Sequence, residues 1–172
     1  MSKRHQPIAW DKYMDIHQTA MDWFHNKKIV LDDSLVWDES DYPVVRLTGQ
    51  IELNGGLVLE VEKSLLVTKN KKTKIEMIQA QDYCYNLRLK DKKRSAVFRY
   101  DNWHIHTGKK HQGPFHKHTY DADGNEISVK ELKLQDWPEL GKVIEEAHEY
   151  YLDHLLDSET SSRKRSRKPG RK

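Results

Sequence analysis

Between Lys28 and Asp101, short apolar runs with a period of two residues constrain the fold more than any other feature of the sequence. Side chains along a strand alternate between the two faces of a sheet, so this period indicates half-buried strands. Only short turns separate the runs, and such turns join antiparallel neighbours, because a parallel crossover needs about a dozen residues or more. The pattern predicts an antiparallel meander of about five strands, over residues 28–38, 42–53, 57–66, 75–89 and 95–101.

Two short segments have the composition of tight turns. Asn54-Gly55-Gly56 lies between the second and third runs and supplies residues that adopt positive φ, which predicts a hairpin there. The segment Asp121-Ala122-Asp123-Gly124-Asn125 has some features of a calcium loop. It lacks the later bidentate glutamate of such loops, so a tight turn is the better interpretation.

Apolar and aromatic side chains at spacings of three and four predict one amphipathic helix at each end of the chain. The first helix is expected from Pro7 to about Asn26, with its apolar face packed on the core. The second is expected to begin at Asp136 as N-cap, with Pro138 in its first turn and Glu139 completing a capping box, and to continue to about Leu156. The fold class is therefore α+β.

The chain divides into three parts: an N-terminal helix (1–27), an α+β domain (28–157) and a basic tail (158–172). The net charge of the 172 residues is +3. Residues 161–172 carry seven basic side chains and no acid, which leaves the rest of the chain at −4. A tail without apolar residues is expected to be disordered and to favour polyanions such as RNA. A merely solubilising terminus is an equally weighted interpretation.

Several classes of protein are excluded by composition. The longest aliphatic runs are only three residues long, so no membrane helix is expected, and the first residues lack the apolar core of a signal peptide. Cys84 is the only cysteine, which rules out an internal disulfide and a thiolate zinc cluster. A cytoplasmic location is therefore expected. The sequence leaves open whether the chain forms a homodimer.

The least random feature is a cluster of histidines after the last predicted strand. Five of the ten histidines fall within fifteen residues, and they include two His-x-His pairs, His104 with His106 and His116 with His118. On a strand, residues i and i+2 point to the same face, so each pair would present two imidazoles together.

Three interpretations of this cluster remain open. The first is acid–base cleavage of RNA, with one neutral and one protonated imidazole, and with Arg99 or Lys117 binding the phosphate. The second is a metal site, to which Asp101 or Asp121 would add a carboxylate ligand. The third is a group of surface histidines without catalytic chemistry. Spacing alone does not decide between them.

The sequence contains four segments, Arg46–Val61, Tyr83–Tyr85, Val97–Asn102 and Pro114–His118, that together resemble one known family. This family is the TumE-like toxins of prokaryotic toxin–antitoxin pairs. The similarity spans about residues 30–155, and its most specific part runs from Arg99-Tyr100-Asp101-Asn102 to His116-Lys117-His118. The loop between these two motifs is shorter here than is usual in the family.

The resemblance implies a small α+β toxin that a helix-turn-helix antitoxin neutralises. It also implies histidines soon after Tyr-Asp-Asn, which His104 and His106 match. We therefore expect a toxin that acts on RNA without a required cofactor, although a divalent metal at the cluster stays open. The alternatives are a non-enzymatic module that binds nucleic acid or a partner, and a metal-dependent hydrolase. The predicted acid–base residues are His104, His106, His116 and His118, and the predicted substrate contacts are Arg99, Tyr100, Lys117 and Asp101.

Overall fold

The computed structural model describes residues 8–91, 96–102, 115–133, 136 and 138–156, and it confirms the α+β class. Within these residues two α-helices flank a large antiparallel sheet in sequence. The elements are β1 (Ile8–Ala9), α1 (Trp10–Asn26), β2 (Val30–Asp33), β3 (Val36–Asp38), β4 (Val44–Leu53), β5 (Leu57–Lys69), β6 (Glu76–Leu89), β7 (Ala96–Asp101), β8 (His116–Tyr120), β9 (Glu126–Glu131) and α2 (Leu140–His154).

The sheet has the predicted antiparallel meander but more strands than the five expected. Strands β4 to β9 are neighbours in sequence order, with β2 beside β4 at one edge, while β1 pairs with β6 and β3 with β4. In the described part of the chain this makes nine strands. The expected run 28–38 is divided into β2 and β3, and β1 has only two residues.

The hairpin of β8 and β9 was missed because its side chains do not alternate between apolar and polar. Strand β9 is mostly exposed, and β8 carries histidine, lysine and threonine. The turn between them is the predicted one at Asp121–Asn125, where Asp121 N donates to Asn125 O at 2.9 Å. Apolar periodicity detects a strand only where one face is apolar, so a polar hairpin gives no such signal.

Both helices pack against one face of the sheet, which we call the helix face. Met21 and Phe24 of α1 join Val143 and Ile144 of α2 in one apolar cluster with alternate residues of β4 to β7. The predicted stripes of the two helices are therefore core-facing. Neither of these helices is long and apolar enough to cross a membrane.

Two local predictions have different outcomes. Asn54–Gly56 forms the tight connection between β4 and β5, with Gly55 at φ 70° and Gly56 at φ 66°, which confirms the hairpin. The second helix begins later than predicted, at Leu140, with Glu139 rather than Asp136 as its N-cap residue. Glu139 is extended and its carboxylate pairs with Lys63 of β5, a long-range contact that the capping pattern does not contain.

Gly49 of β4 provides a test of the sheet packing. A Cβ at this position would lie 2.5 Å from the backbone oxygen of Ser34 and 2.9 Å from the Cα of Leu35, and Gly49 has φ 147°. We expect Gly49→Ala to lower the free energy of unfolding by about 3 kcal/mol through backbone strain and steric overlap. Urea denaturation measures this loss.

Gly56→Ala is the matched control. Gly56 has φ 66°, but a Cβ there meets no atom within 4 Å. We expect it to cost about 1 kcal/mol, from the left-handed conformation alone. Equal losses in the two variants would contradict the close contact of β4 with the β2–β3 connection.

Candidate functional site

The register of β7 and β8 brings four predicted site residues together. Asp101 lies opposite His116, and Arg99 lies opposite His118. Alternate side chains of a strand share a face, so all four project from one side of the sheet. Tyr100 and Lys117 lie opposite each other between these pairs, and they project towards α2. The face opposite the helices therefore carries Arg99, Asp101, His116 and His118.

Asp101 is at the centre of this group and is fully buried. Its Oδ1 lies 2.8 Å from His116 Nε2, and its Oδ2 lies 2.7 Å from Arg99 Nε. His118 Nε2 is 3.8 Å from the same Oδ2. A buried carboxylate is costly unless it is paired and hydrogen-bonded, and here a guanidinium and two imidazoles surround it.

His118 has a second carboxylate partner. Its Nδ1 lies 2.6 Å from Glu126 Oε2 on β9, and its ring contacts the ring of His116 edge-to-face, with centroids 4.6 Å apart. Each imidazole therefore has its own carboxylate, Asp101 for His116 and Glu126 for His118. The hydrogen bond to Glu126 fixes the orientation of the His118 ring and the nitrogen that carries its proton.

The end of β7 is held in place by Asn102. Its side-chain oxygen accepts a hydrogen bond from Tyr83 N at 2.7 Å, and its amide nitrogen donates to Gln81 O at 2.9 Å. Both contacts reach β6 next to an irregularity in the β5–β6 register. Asn102 therefore fixes the backbone directly after Asp101.

Tyr100 and Lys117 share a different partner, Glu146 of α2. The Tyr100 hydroxyl donates to Glu146 Oε2 at 2.6 Å, and Lys117 Nζ bonds to the other oxygen while lying 4.9 Å from the centroid of the Phe98 ring. Burial, and then the Glu146 carboxylate, raises the pKa of Tyr100 well above its usual range. The structure therefore separates these two predicted substrate contacts from the imidazoles.

His104 and His106 lie outside the described residues. Their roles stay predictions, as does that of the tail.

Sequence reasoning missed Glu126 and Glu146 as parts of the arrangement. Glu126 follows the turn at Asp121–Asn125, so recognition of a hairpin there would have placed it on the strand next to β8, opposite Tyr120. Glu146 lies three residues after the core residue Val143, and an acid near the apolar face of a helix was its available signal.

The arrangement supports two kinds of chemistry. Paired imidazoles can accept and donate protons. Ligand atoms of Asp101, His116 and His118 also lie within 4.8 Å of one another, and this donor set suits a divalent transition metal. Asp121, the other carboxylate considered as a ligand, instead accepts hydrogen bonds from the backbone of Asp123 and Asn125.

A comparison with protein-family models matches residues 21–150 to the family described as Toxin TumE. The chain belongs to the TumE toxin family. The matched region contains every described residue of the site and most of α2. Membership makes this TumE chain a toxin of the toxin–antitoxin type and implies an antitoxin partner. Searches of curated proteins and of solved structures give no significant match.

Cys84 gives a chemical test of this face of the TumE sheet. It pairs with Asp101 across β6 and β7, and burial raises the pKa of its thiol despite the opposing effect of the Arg99 guanidinium. Because the thiolate is the reactive form, we expect iodoacetamide to modify folded protein roughly tenfold more slowly than unfolded protein at pH 7.5. Arg99→Ala should slow the reaction further. Equal rates for folded and unfolded chains would contradict this environment.

Proposed function

We propose that this TumE toxin cleaves RNA by acid–base catalysis, with His116 and His118 as the proton-transferring pair. The observation that carries the proposal is the contact of two imidazoles, each within 2.8 Å of its own carboxylate, beside the guanidinium of Arg99. RNA carries its own nucleophile, the ribose 2′-hydroxyl, so such a site needs only groups that move protons and stabilise charge.

In the proposed reaction a neutral imidazole takes the proton of the 2′-hydroxyl. The 2′-oxygen bonds to phosphorus while the bond from phosphorus to the 5′-oxygen breaks. A protonated imidazole gives its proton to the departing oxygen. The products are a 2′,3′-cyclic phosphate and a free 5′-hydroxyl.

The accessible surface suggests how the roles are divided. The side chain of Arg99 is 31% exposed and that of His118 is 8% exposed, whereas His116 is completely buried. We therefore assign Arg99 to the phosphate and His118 to the first proton transfer. His116 and Asp101 lie behind His118, so the second proton reaches the departing oxygen through His118.

The same proposal covers the partners. The antitoxin is expected to be a small helix-turn-helix protein encoded next to the toxin gene. The seven basic residues after Ser161 are expected to add salt-sensitive affinity for RNA, because each phosphate contact releases a condensed counterion.

A metal-dependent hydrolase is the second candidate, and one observation favours it. Asp101 and His116 are fully buried, and Glu126 bonds to the ring nitrogen of His118 that faces away from Asp101. A carboxylate behind a ligating histidine is the usual surrounding of a metal site. If a metal binds, Asp101, His116 and His118 would hold it, and it would activate water and polarise the phosphate.

Replacement of His118 tests the catalytic assignment. We expect expression of the wild-type toxin to stop growth, and His118→Ala to restore growth and lower the rate of RNA cleavage by about 100-fold or more. His25→Ala is the matched control, because His25 pairs with Asp33 at the surface and lies outside the site. Circular dichroism checks that each variant folds. Full toxicity of folded His118→Ala would contradict catalysis by this residue and favour a toxin that only binds its target.

A chelator separates the two candidate functions. Acid–base cleavage should continue in EDTA and leave a cyclic phosphate end, which mass spectrometry of the RNA fragments detects. A metal-dependent enzyme should lose activity in EDTA, recover it with zinc or manganese, and contain stoichiometric metal. We expect resistance to EDTA.

A further inference from the structure

A groove on the helix face has no part in the proposed chemistry. It lies between α1, the first turns of α2 and the central strands β5 and β6, and its volume is about 930 Å³. Its walls are largely apolar, and they include Ile8, Tyr13, Ala20, Leu65, Leu140 and Ile144. This volume is at the upper end of the range typical of ligand sites and accommodates several large side chains.

Lys63 of β5 is a buried cation in this groove. It is only 2% exposed, its Nζ lies 3.3 Å from Glu139 Oε2, and the same atom is 5.3 Å from the centroid of the Tyr13 ring. Burial by itself lowers the pKa of Lys63, but Tyr85, Tyr13 and Glu139 outweigh that effect and raise it above its usual range. Lys63 is therefore charged at neutral pH.

Lys63 is buried, but its carboxylate partner Glu139 is well exposed to solvent. The side chain of Glu139 is 76% exposed, whereas that of Lys63 is 3% exposed. A carboxylate from another molecule can take the place of Glu139 at small cost, because Glu139 then returns to water. A buried ammonium, in contrast, needs a carboxylate or oxygen partner at all times. The groove therefore offers a largely apolar binding site with one buried charge, Lys63, whose place favours an acidic side chain, while its other charged lining residues, Asp15, Lys142 and Glu145, are exposed.

Two large apolar side chains at the groove indicate the size of the occupant. Ile16 is 52% exposed and Trp23 is 49% exposed, and both contribute to the lining. A small molecule enclosed by the groove would leave these side chains in water, whereas a polypeptide laid along α1 would cover them. Exposed apolar patches with tryptophan are typical of protein interfaces.

We propose that this groove is the docking site of the antitoxin. An amphipathic segment of the antitoxin fills the groove with apolar side chains and pairs one aspartate or glutamate with Lys63, as helices do in apolar grooves elsewhere. The inference rests on membership in the toxin family and does not depend on RNA cleavage. The histidine site lies on the opposite face of the sheet, so this contact is separate from the imidazoles.

Binding of the purified antitoxin encoded beside the toxin gene tests the proposal. We expect Ile16→Ala, Trp23→Ala and Lys63→Met each to weaken the affinity at least tenfold in isothermal titration calorimetry. Leu31→Ala is the matched control, because Leu31 is 56% exposed on β2 and is not part of the groove. The groove variants should stay toxic alone and should no longer be neutralised by wild-type amounts of antitoxin.

The variants keep the proposal falsifiable. Lys63→Met removes the cation beside Glu139, Tyr13 and the buried Tyr85, so circular dichroism checks that this variant folds. Ile16→Ala removes only surface atoms, and we expect it to fold. Wild-type affinity in folded Ile16→Ala and Trp23→Ala would overturn the proposal. It would also be overturned if dodecanoate bound to the groove while the antitoxin still bound the variants normally, because the ligand would then be a small amphiphile.

The outcome is independent of the proposed chemistry. His118→Ala should bind the antitoxin with unchanged affinity, since His118 projects from the other face. If cleavage of RNA fails to appear, the groove variants should still lose antitoxin binding.

Discussion

The buried carboxylate of Asp101 is the constraint on which the site and its surroundings depend. A charge with no exposed surface must be neutralised locally, and Arg99, His116 and His118 do so from two adjacent strands. A shift of one residue in the β7–β8 register would turn His116 and His118 away from Asp101 and bring Lys117 to this face, because the side-chain period of a strand is two. The electrostatics of Asp101 and the pairing of the strands therefore stabilise each other.

The same alternation gives the sheet two faces with different properties. On β5, Val61 and Lys63 project to the helix face, while Glu60 and Glu62 project to the other, where Glu60 pairs with Arg88. One face thus holds the apolar core and the groove with its buried Lys63, and the other holds a network of charges and imidazoles. A single sheet can thus carry two chemically different surfaces without a second domain, because each strand contributes residues to both faces.

The β8–β9 hairpin connects these features to the family assignment. The family match includes the whole hairpin, and the hairpin supplies His116, His118 and the carboxylate of Glu126. Next to it, Lys117 on the helix face bonds to Glu146 of α2. A strand whose side chains are bonded on both faces has little freedom to rotate, which keeps the two imidazoles in ring contact. The proposed proton transfer would need such rigidity, because it depends on a fixed distance between the groups.

The sequence by itself determined the α+β class, the antiparallel meander, the hairpin at Asn54–Gly56, both helices and the toxin family. Each of these follows from local periodicity, turn chemistry or a motif, so neighbouring residues are sufficient. The sequence also indicated that His116 and His118 would share a face, because they are two residues apart on a strand. It did not give the number of strands, since β1 is short and β9 lacks an apolar face.

Only the tertiary structure decided which residues meet. Glu126 bonds to His118, and Glu139 pairs with Lys63. Glu146 of α2 bonds to Tyr100 and Lys117, which therefore lie on the face opposite the imidazoles. The contact of Glu139 with Lys63 joins residues 76 positions apart. Such contacts depend on strand register and helix packing, which are set by the burial of the whole chain rather than by local preference. The residues that flank a polar side chain in sequence do not indicate which distant residue folding will bring to it.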